Sequence, residues 1–180
     1  MTKQIIPYQP HNLQEPKELV DAVRARRGGE LLNLDRMLLN SPPLTRGWNA
    51  MLKEIRENLS VHPRYKEIGM CGVAVLNYAE YEFFHHAPEL IKAGGTSEQV
   101  AELRKLGTDA FNLELFDAIE QDVILLTLAM TREIEVPIAV MERLNTALGA
   151  QATVEMVAVV AAYNMVSRFL IATGIQPEST

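Results

Sequence analysis

The chain has 180 residues, of which 48% are hydrophobic and 22% are charged, and its formal net charge at pH 7 is -6. This composition is ordinary for a soluble globular protein, and the length predicts one domain over residues 1–180 with a sizeable core. The acidic balance argues against nucleic-acid binding, because duplex binding needs a basic surface that displaces counterions.

In chain order, the predicted elements begin with an extended arm over residues 1–14, which contain Pro7 and Pro10 and show no helical period. Pro16 suits the first turn of a helix that ends at Gly28 and Gly29. Further helices are predicted over 31–39, 45–59, 64–77, 80–93, 97–106, 115–132, 137–148 and 150–173. No segment longer than four residues shows a strand period, and no hairpin signal occurs. The predicted fold is therefore all-α, with about eight helices.

The predicted helix over residues 64–77 contains Gly69 and Gly72. Each glycine costs up to about 1 kcal/mol relative to alanine in a helix interior. Small residues at such positions indicate the close approach of a neighbouring helix or of a ligand.

The compartment and the membrane relationship are predicted from three features. One cysteine, Cys71, cannot form an internal disulfide, which fits a reducing compartment. The start of the chain lacks the apolar stretch of a signal peptide, so we expect a cytoplasmic protein. In the apolar segment 150–173, twelve uncharged residues separate Glu155 from Arg168, whereas a membrane span needs about 20 apolar residues. We interpret this segment as a buried core or subunit-interface helix and expect no membrane partner.

The stretch 78–86 carries the residues with the most distinctive chemistry. Two of the four histidines, His85 and His86, are adjacent, and Glu82 precedes them by three and four residues. Residues at these spacings share a helix face. A carboxylate and an imidazole among aromatic rings form a setting in which pKa values shift and proton transfer becomes possible. The alternative is that Glu82 and His86 form a solvated i,i+4 pair, worth a few tenths of a kcal/mol.

A metal site and a reactive thiol are two further interpretations of the same region. Glu82 and His85 match the Glu-x-x-His spacing of di-iron bundles, but such sites need two of these motifs. A single metal site that combines them with Glu67 and His86 is an alternative, although we expect no metal. Cys71 lies one turn after Glu67 in an apolar helix, which is typical of an inert buried thiol. Without a Cys-x-x-Cys motif, dithiol redox catalysis within the chain is not available.

Three separated motifs resemble the carboxymuconolactone decarboxylase-like superfamily, which includes the alkylhydroperoxidase D-like proteins. One branch has an Arg-Glu-Leu start, a Tyr-Glu-Trp-x-x-His core and a glycine some eight residues later. Here these look like Lys66-Glu67-Ile68, Tyr81-Glu82-Phe83-Phe84-His85-His86 and Gly94. Trp48 and its helix look like the leading helix of the family, and Tyr163 to Arg168 resembles a Tyr-x-x-x-Ser-Arg pattern near the end. The resemblance covers residues 35–175.

The resemblance implies an all-α fold that assembles into trimers or hexamers. In the peroxidase members, a Cys-x-x-Cys motif precedes a histidine by four residues, and a glutamate one helix earlier completes a proton relay. Counting back from His86, the cysteine positions fall on Ala79 and Glu82, and the relay glutamate falls on Glu67. The chain therefore keeps the glutamate and the histidine but lacks both redox cysteines.

The predicted function is cofactor-independent proton transfer, as in the decarboxylation or isomerisation of a small carboxylic acid or lactone. Two carboxylates in one pocket push one pKa upward, and an imidazole stabilises the other carboxylate as an anion. The predicted catalytic residues are Glu67, Glu82 and His86, and those predicted to line the substrate pocket are Cys71, Tyr81 and His85.

Two other functions stay open at this stage. One is a peroxidase-type activity that uses Cys71 as a single thiol. The other is a non-catalytic oligomeric scaffold in which Glu67, Glu82 and His86 form a buried polar network that holds helices in register. The expected partners are a small-molecule substrate and further copies of the chain.

Overall fold

The computed structural model describes residues 4–178, so the first three residues of the predicted arm and the last two residues of the chain lie outside the described range. All regular secondary structure in this range is helical, which confirms the all-α prediction. The elements are α1 (Lys17–Arg26), α2 (Asn33–Leu38), α3 (Pro42–Glu57), α4 (Pro63–Leu76), α5 (Glu80–Lys92), α6 (Ser97–Leu103), a 3-10 helix (Leu113–Leu115), α7 (Ala118–Arg132) and α8 (Ile138–Thr173).

The contacts divide the described residues into two compact units. One unit contains the residues up to Asn58 together with those from Leu170 onward, and the other is Leu59–Phe169. The expectation of a single domain over the whole chain stays a prediction.

In the first unit, α3 packs against both α1 and α2. Leu19, Val20 and Val23 place one apolar face of α1 in the core, at the i, i+1, i+4 spacing of an amphipathic helix. Trp48, Leu52 and Ile55 do the same for α3. The acidic side chain of Asp35 is buried in this unit, where it is paired with Arg26 and Arg27.

The second unit is organised around α4, which packs against both α5 and α7. The glycines of α4 explain how close this packing is. A Cβ atom on Gly69 would lie 2.6 Å from Met156 Cε, and one on Gly72 would lie 3.0 Å from Thr127 Cγ2. The sequence-based expectation that small residues admit a neighbouring helix therefore holds at both positions.

Helices α3 and α7 begin three residues away from their predicted starts, and both differences come from residues at the N-terminal end of the helix. Helix α3 begins at Pro42 rather than Thr45, because proline is well suited to the first helical turn. Helix α7 begins at Ala118 rather than Leu115. Asp117 is its N-cap and accepts hydrogen bonds from the backbone N–H groups of Ile119 and Glu120, while the Glu120 carboxylate accepts from Asp117 N.

Helix α8 has a break at Gly149, where the backbone adopts φ 79°, as predicted from the boundary between segments 137–148 and 150–173. Within residues 4–178, α8 is the one helix that is long and apolar enough to cross a membrane by length and composition. Half of its most apolar window is buried inside the protein. Core helices of soluble proteins can be equally long and apolar, so this finding is weak evidence for a membrane span.

Candidate active site

The centre of the candidate site is a hydrogen bond between α4 and α5. His86 Nδ1 lies 2.7 Å from Glu67 Oε2, and the two side chains retain only 13% and 14% of their exposure. The three residues between the helices turn the chain back, and within this turn Tyr78 has φ 60°. This reversal brings together two side chains that are 19 residues apart in the sequence.

The imidazole of His86 also contacts a third helix. Its ring meets the fully buried ring of Tyr163 edge-on, with the ring centroids 4.9 Å apart. Glu67 holds one ring nitrogen and Tyr163 packs against the ring, so the orientation of the imidazole is fixed from two sides. Tyr163 is part of the Tyr-x-x-x-Ser-Arg pattern but was not among the predicted site residues, since a motif position gives no indication of which side chain it contacts.

Asn77 connects the turn between α4 and α5 to α8. Its side-chain amide nitrogen donates to Asn164 Oδ1 at 3.0 Å and to Ser167 Oγ at 2.7 Å. Asn164 in turn donates to Thr131 Oγ1 of α7 at 3.0 Å. Satisfied buried hydrogen bonds of this kind make the packing more specific. The network therefore holds the turn between α4 and α5 in a defined arrangement with α7 and α8.

Glu82 and Cys71 belong to the same neighbourhood. Glu82 is 2% exposed and Cys71 is fully buried. Burial raises the pKa of the Cys71 thiol well above its ordinary value, and the charges of Glu67 and Glu82 raise it further, against a smaller opposing effect of Arg104. Both carboxyl groups therefore lie close enough to the thiol to act on it electrostatically. Because Glu82 is buried, the alternative of a solvated surface pair between Glu82 and His86 does not hold.

Tyr81 and His85 form an aromatic group on α5. Their ring centroids are 4.5 Å apart, and the His85 ring meets Phe84 edge-on at 5.2 Å. Tyr81 is buried and His85 is half-buried. The structure thus gives both residues well-defined packing contacts, and their predicted role in substrate binding stays a prediction.

A metal centre is not formed by the residues that the structure describes. Among residues 4–178, no group of three or more histidine, cysteine, aspartate or glutamate side chains is arranged to hold a metal ion. What Glu67 and His86 offer chemically is a carboxylate-oriented imidazole. Such a pair can accept a proton on the second ring nitrogen while the carboxylate stabilises the resulting cation.

No family model matches the chain, and no curated protein matches it. Solved structures do match it. An uncharacterized peroxidase-related protein from Silicibacter sp. TM1040 superposes with a TM-score of 0.79 at 17% identity, and the match covers 99% of this chain and 96% of the other.

A second match is an alkylhydroperoxidase AhpD core, an uncharacterized peroxidase-related protein from Ralstonia eutropha JMP134. Its TM-score is 0.77 at 15% identity, with 98% of this chain and 95% of the other covered. At such identities the likeness establishes the fold and leaves the chemistry open. The chain therefore shares its helical fold with these two solved structures, one of which is described as an alkylhydroperoxidase AhpD core.

Proposed function

We propose that the protein is a cofactor-independent enzyme that transfers protons at carbon in a small carboxylic acid or lactone. The observation that carries the proposal is the 2.7 Å contact between His86 Nδ1 and Glu67 Oε2 in a nearly closed environment. An ionised carboxylate only accepts hydrogen bonds, so Nδ1 carries a proton and Nε2 is the basic nitrogen.

In the proposed reaction, Nε2 of His86 removes a proton from the carbon next to a carbonyl group. The electron pair of the C–H bond moves into the carbonyl and forms an enolate, while Glu67 stabilises the imidazolium. In a substrate with a carbon–carbon double bond conjugated to the enolate, return of the proton to the far carbon of that double bond completes an isomerisation. In a decarboxylation, the C–C bond to the carboxylate breaks, carbon dioxide leaves with no proton removed, and an imidazolium Nε2–H protonates the remaining carbanion.

Glu82 is the second acid of the proposal. Its buried position near Cys71, in the same neighbourhood as Glu67, supports a role in proton handling. Tyr81, Cys71 and His85 are proposed to line the substrate pocket. The proposal also includes assembly of several copies of the chain, which is supported by exposed apolar side chains on α8, such as Val154 and Met165. Light scattering on the purified protein tests this assembly.

Proton transfer is tested by deuterium exchange in heavy water. The protein is incubated with a panel of small keto acids and carboxylated lactones, and exchange at carbon or loss of carbon dioxide is followed by NMR. We expect activity on at least one compound, and its loss in Glu67→Gln, Glu82→Gln and His86→Asn variants with unchanged circular dichroism. Activity that survives all three substitutions would refute the proposed site.

A peroxidase activity is the second candidate, because both structural neighbours are named as peroxidase-related. Within this chain it would depend on Cys71, since thiol peroxidases react as thiolates. The burial of Cys71 and the raised pKa of its thiol oppose this chemistry. Peroxide consumption that disappears in Cys71→Ala but persists in His86→Asn would favour the second candidate over the first.

A further inference from the structure

A cavity in the first unit lies outside the candidate active site and has a distinctive lining. Its volume is about 470 Å³, within the range of small-molecule sites. It is lined by Ala22, Ala25, Arg26, Asn49, Ala50, Lys53 and Glu57. The residues of α1 are spaced i, i+3, i+4, and those of α3 are spaced i, i+1, i+4, i+8, so each helix contributes one face. Three alanines on these faces leave the space that larger side chains would fill.

Two of the residues that line this cavity each carry a buried polar atom without a hydrogen-bond partner. Arg26 Nε and Asn49 Oδ1 are both buried, and neither has a partner among the residues that the structure describes. Leaving a buried polar group without a partner is unfavourable, so native proteins rarely leave one unsatisfied. Here a donor and an acceptor with unused hydrogen-bonding capacity come from two residues that line the same cavity.

The charges around the cavity favour an anion. Arg26 interacts electrostatically with the positive charges of Arg27 and Arg56 and with the negative charges of Asp35 and Glu57. Lys53 adds a further cation to the lining. Asp35 already accepts hydrogen bonds from Arg26 Nη2 and from Arg27. The cationic groups therefore outnumber the anionic ones in a protein whose net charge is -6.

We propose that this cavity binds a small organic anion with an apolar body, a carboxylate and an adjacent hydroxyl group. The carboxylate accepts a hydrogen bond from Arg26 Nε, the hydroxyl donates to Asn49 Oδ1, and the body lies on the three alanines. Rotation of the Arg26 and Asn49 side chains toward the ligand completes the contacts. Burial lowers the pKa of Arg26 to about 10, so Arg26 is still a cation at neutral pH and gains from an anionic partner. This site is independent of the proposed proton-transfer function.

Mandelate is the test compound, because it combines an aromatic body, a carboxylate and an adjacent hydroxyl. Phenylacetate lacks the hydroxyl, and 1-phenylethane-1,2-diol lacks the carboxylate. Each compound is titrated into the full-length protein labelled with nitrogen-15, and the Arg26 Nε–H and Asn49 side-chain amide signals are followed by NMR. We expect mandelate to shift both signals, phenylacetate to bind about three- to tenfold more weakly, and the diol to leave them unchanged.

Variants that keep the Arg26–Asp35 pair complete the test. Asn49→Leu is expected to remove the difference between mandelate and phenylacetate. Lys53→Glu is expected to weaken the binding of both mandelate and phenylacetate. Lys92→Glu, the same charge change on an exposed residue of α5, is expected to leave the binding of both unchanged. Three results would overturn the proposal. The first is that neither NMR signal shifts up to about 20 mM mandelate, a concentration that saturates a site with a millimolar dissociation constant. The others are that Asn49→Leu leaves the mandelate-induced shifts unaltered, or that the shifts depend on the concentration of the protein instead of that of mandelate.

Discussion

His86 lies with Nδ1 2.7 Å from Glu67 Oε2, and this bond joins α5 to α4 between side chains that are both largely buried. The relationship has a structural and a chemical consequence, because the same carboxylate satisfies a buried imidazole nitrogen and sets which ring nitrogen is basic. Substitutions of Glu67 that differ in hydrogen-bonding capacity can separate the two consequences.

For the Glu67–His86 bond, we expect Glu67→Gln to lower the free energy of unfolding by less than about 1 kcal/mol, since the amide oxygen still accepts from Nδ1. Glu67→Leu is expected to cost about 1–3 kcal/mol, because the buried nitrogen loses its partner. Both variants are expected to lose activity, as only a carboxylate stabilises the imidazolium. Urea unfolding and the deuterium-exchange assay measure the two effects. Equal stability of the two variants would contradict the structural part of this explanation.

Cys71 is expected to be unreactive in the folded protein. Its side chain is fully buried and the pKa of its thiol is raised well above 9.0, so little thiolate is present and reagents cannot reach it. The measurement is the rate of labelling by iodoacetamide at pH 8, with and without denaturant. We expect labelling to require denaturant. Rapid labelling of the native protein would contradict the burial and restore the thiol peroxidase candidate.

The Cys71 thiol also makes the free energy of unfolding depend on pH in the alkaline range. Above pH 9.0 the unfolded chain loses the Cys71 proton, while the folded chain, with its higher pKa, keeps it. The folded state then binds more protons, so the free energy of unfolding falls as pH rises, by up to about 1.4 kcal/mol per pH unit. Cys71→Ala is expected to remove this contribution. An unchanged slope between pH 9 and 10 in that variant would show that other groups are responsible.

Asp35 is expected to be the acidic residue on which the first unit depends most strongly. Its side chain is 1% exposed and is paired with both Arg26 and Arg27. Removing one partner of a buried ion pair costs about 3–5 kcal/mol, so we expect a loss of this size in Asp35→Ala. Asp21→Ala is the control, because the Lys17–Asp21 pair is exposed to solvent and contributes little to stability. Thermal unfolding of both variants checks the difference.

Glycine substitutions are expected to have opposite effects in two helices. Gly47 in α3 has open space where a Cβ would lie, so Gly47→Ala is expected to gain up to about 1 kcal/mol from helix propensity. At Gly72 in α4 the added methyl would lie 3.0 Å from Thr127 Cγ2 and 3.2 Å from Leu106 Cδ2. We therefore expect Gly72→Ala to show no gain or a loss in denaturant unfolding, as the overpacking offsets the propensity.

Local signals in the sequence predicted most helix boundaries. Gly149 separates two apolar segments and has the positive φ that favours glycine. Thr96 caps α6 by accepting a hydrogen bond from the backbone N–H of Gln99, which is the Thr-x-x-Gln spacing of a capping box. The equivalent Asp117-x-x-Glu120 signal lies before α7 and sets the start of this helix three residues later than the predicted Leu115. Such boundaries depend on interactions between neighbours in the chain, which the sequence contains directly.

Most contacts between distant residues were decided by the tertiary structure. Arginines near the C-terminal end of a helix favour its dipole, and at the end of α1 the structure shows that Arg26 and Arg27 also pair with Asp35, nine and eight residues further on. Helical spacing suggested Glu82 as a partner of His86, and the family resemblance suggested Glu67. The packing of α4 on α5 places Glu67 on the imidazole of His86, and α8 places Tyr163 against its ring, a contact that no sequence pattern indicated. The sequence by itself determined the all-α class and the residue types available for chemistry. Which of them meet was settled by packing, because a contact across 19 or more residues depends on the path of the whole chain between them.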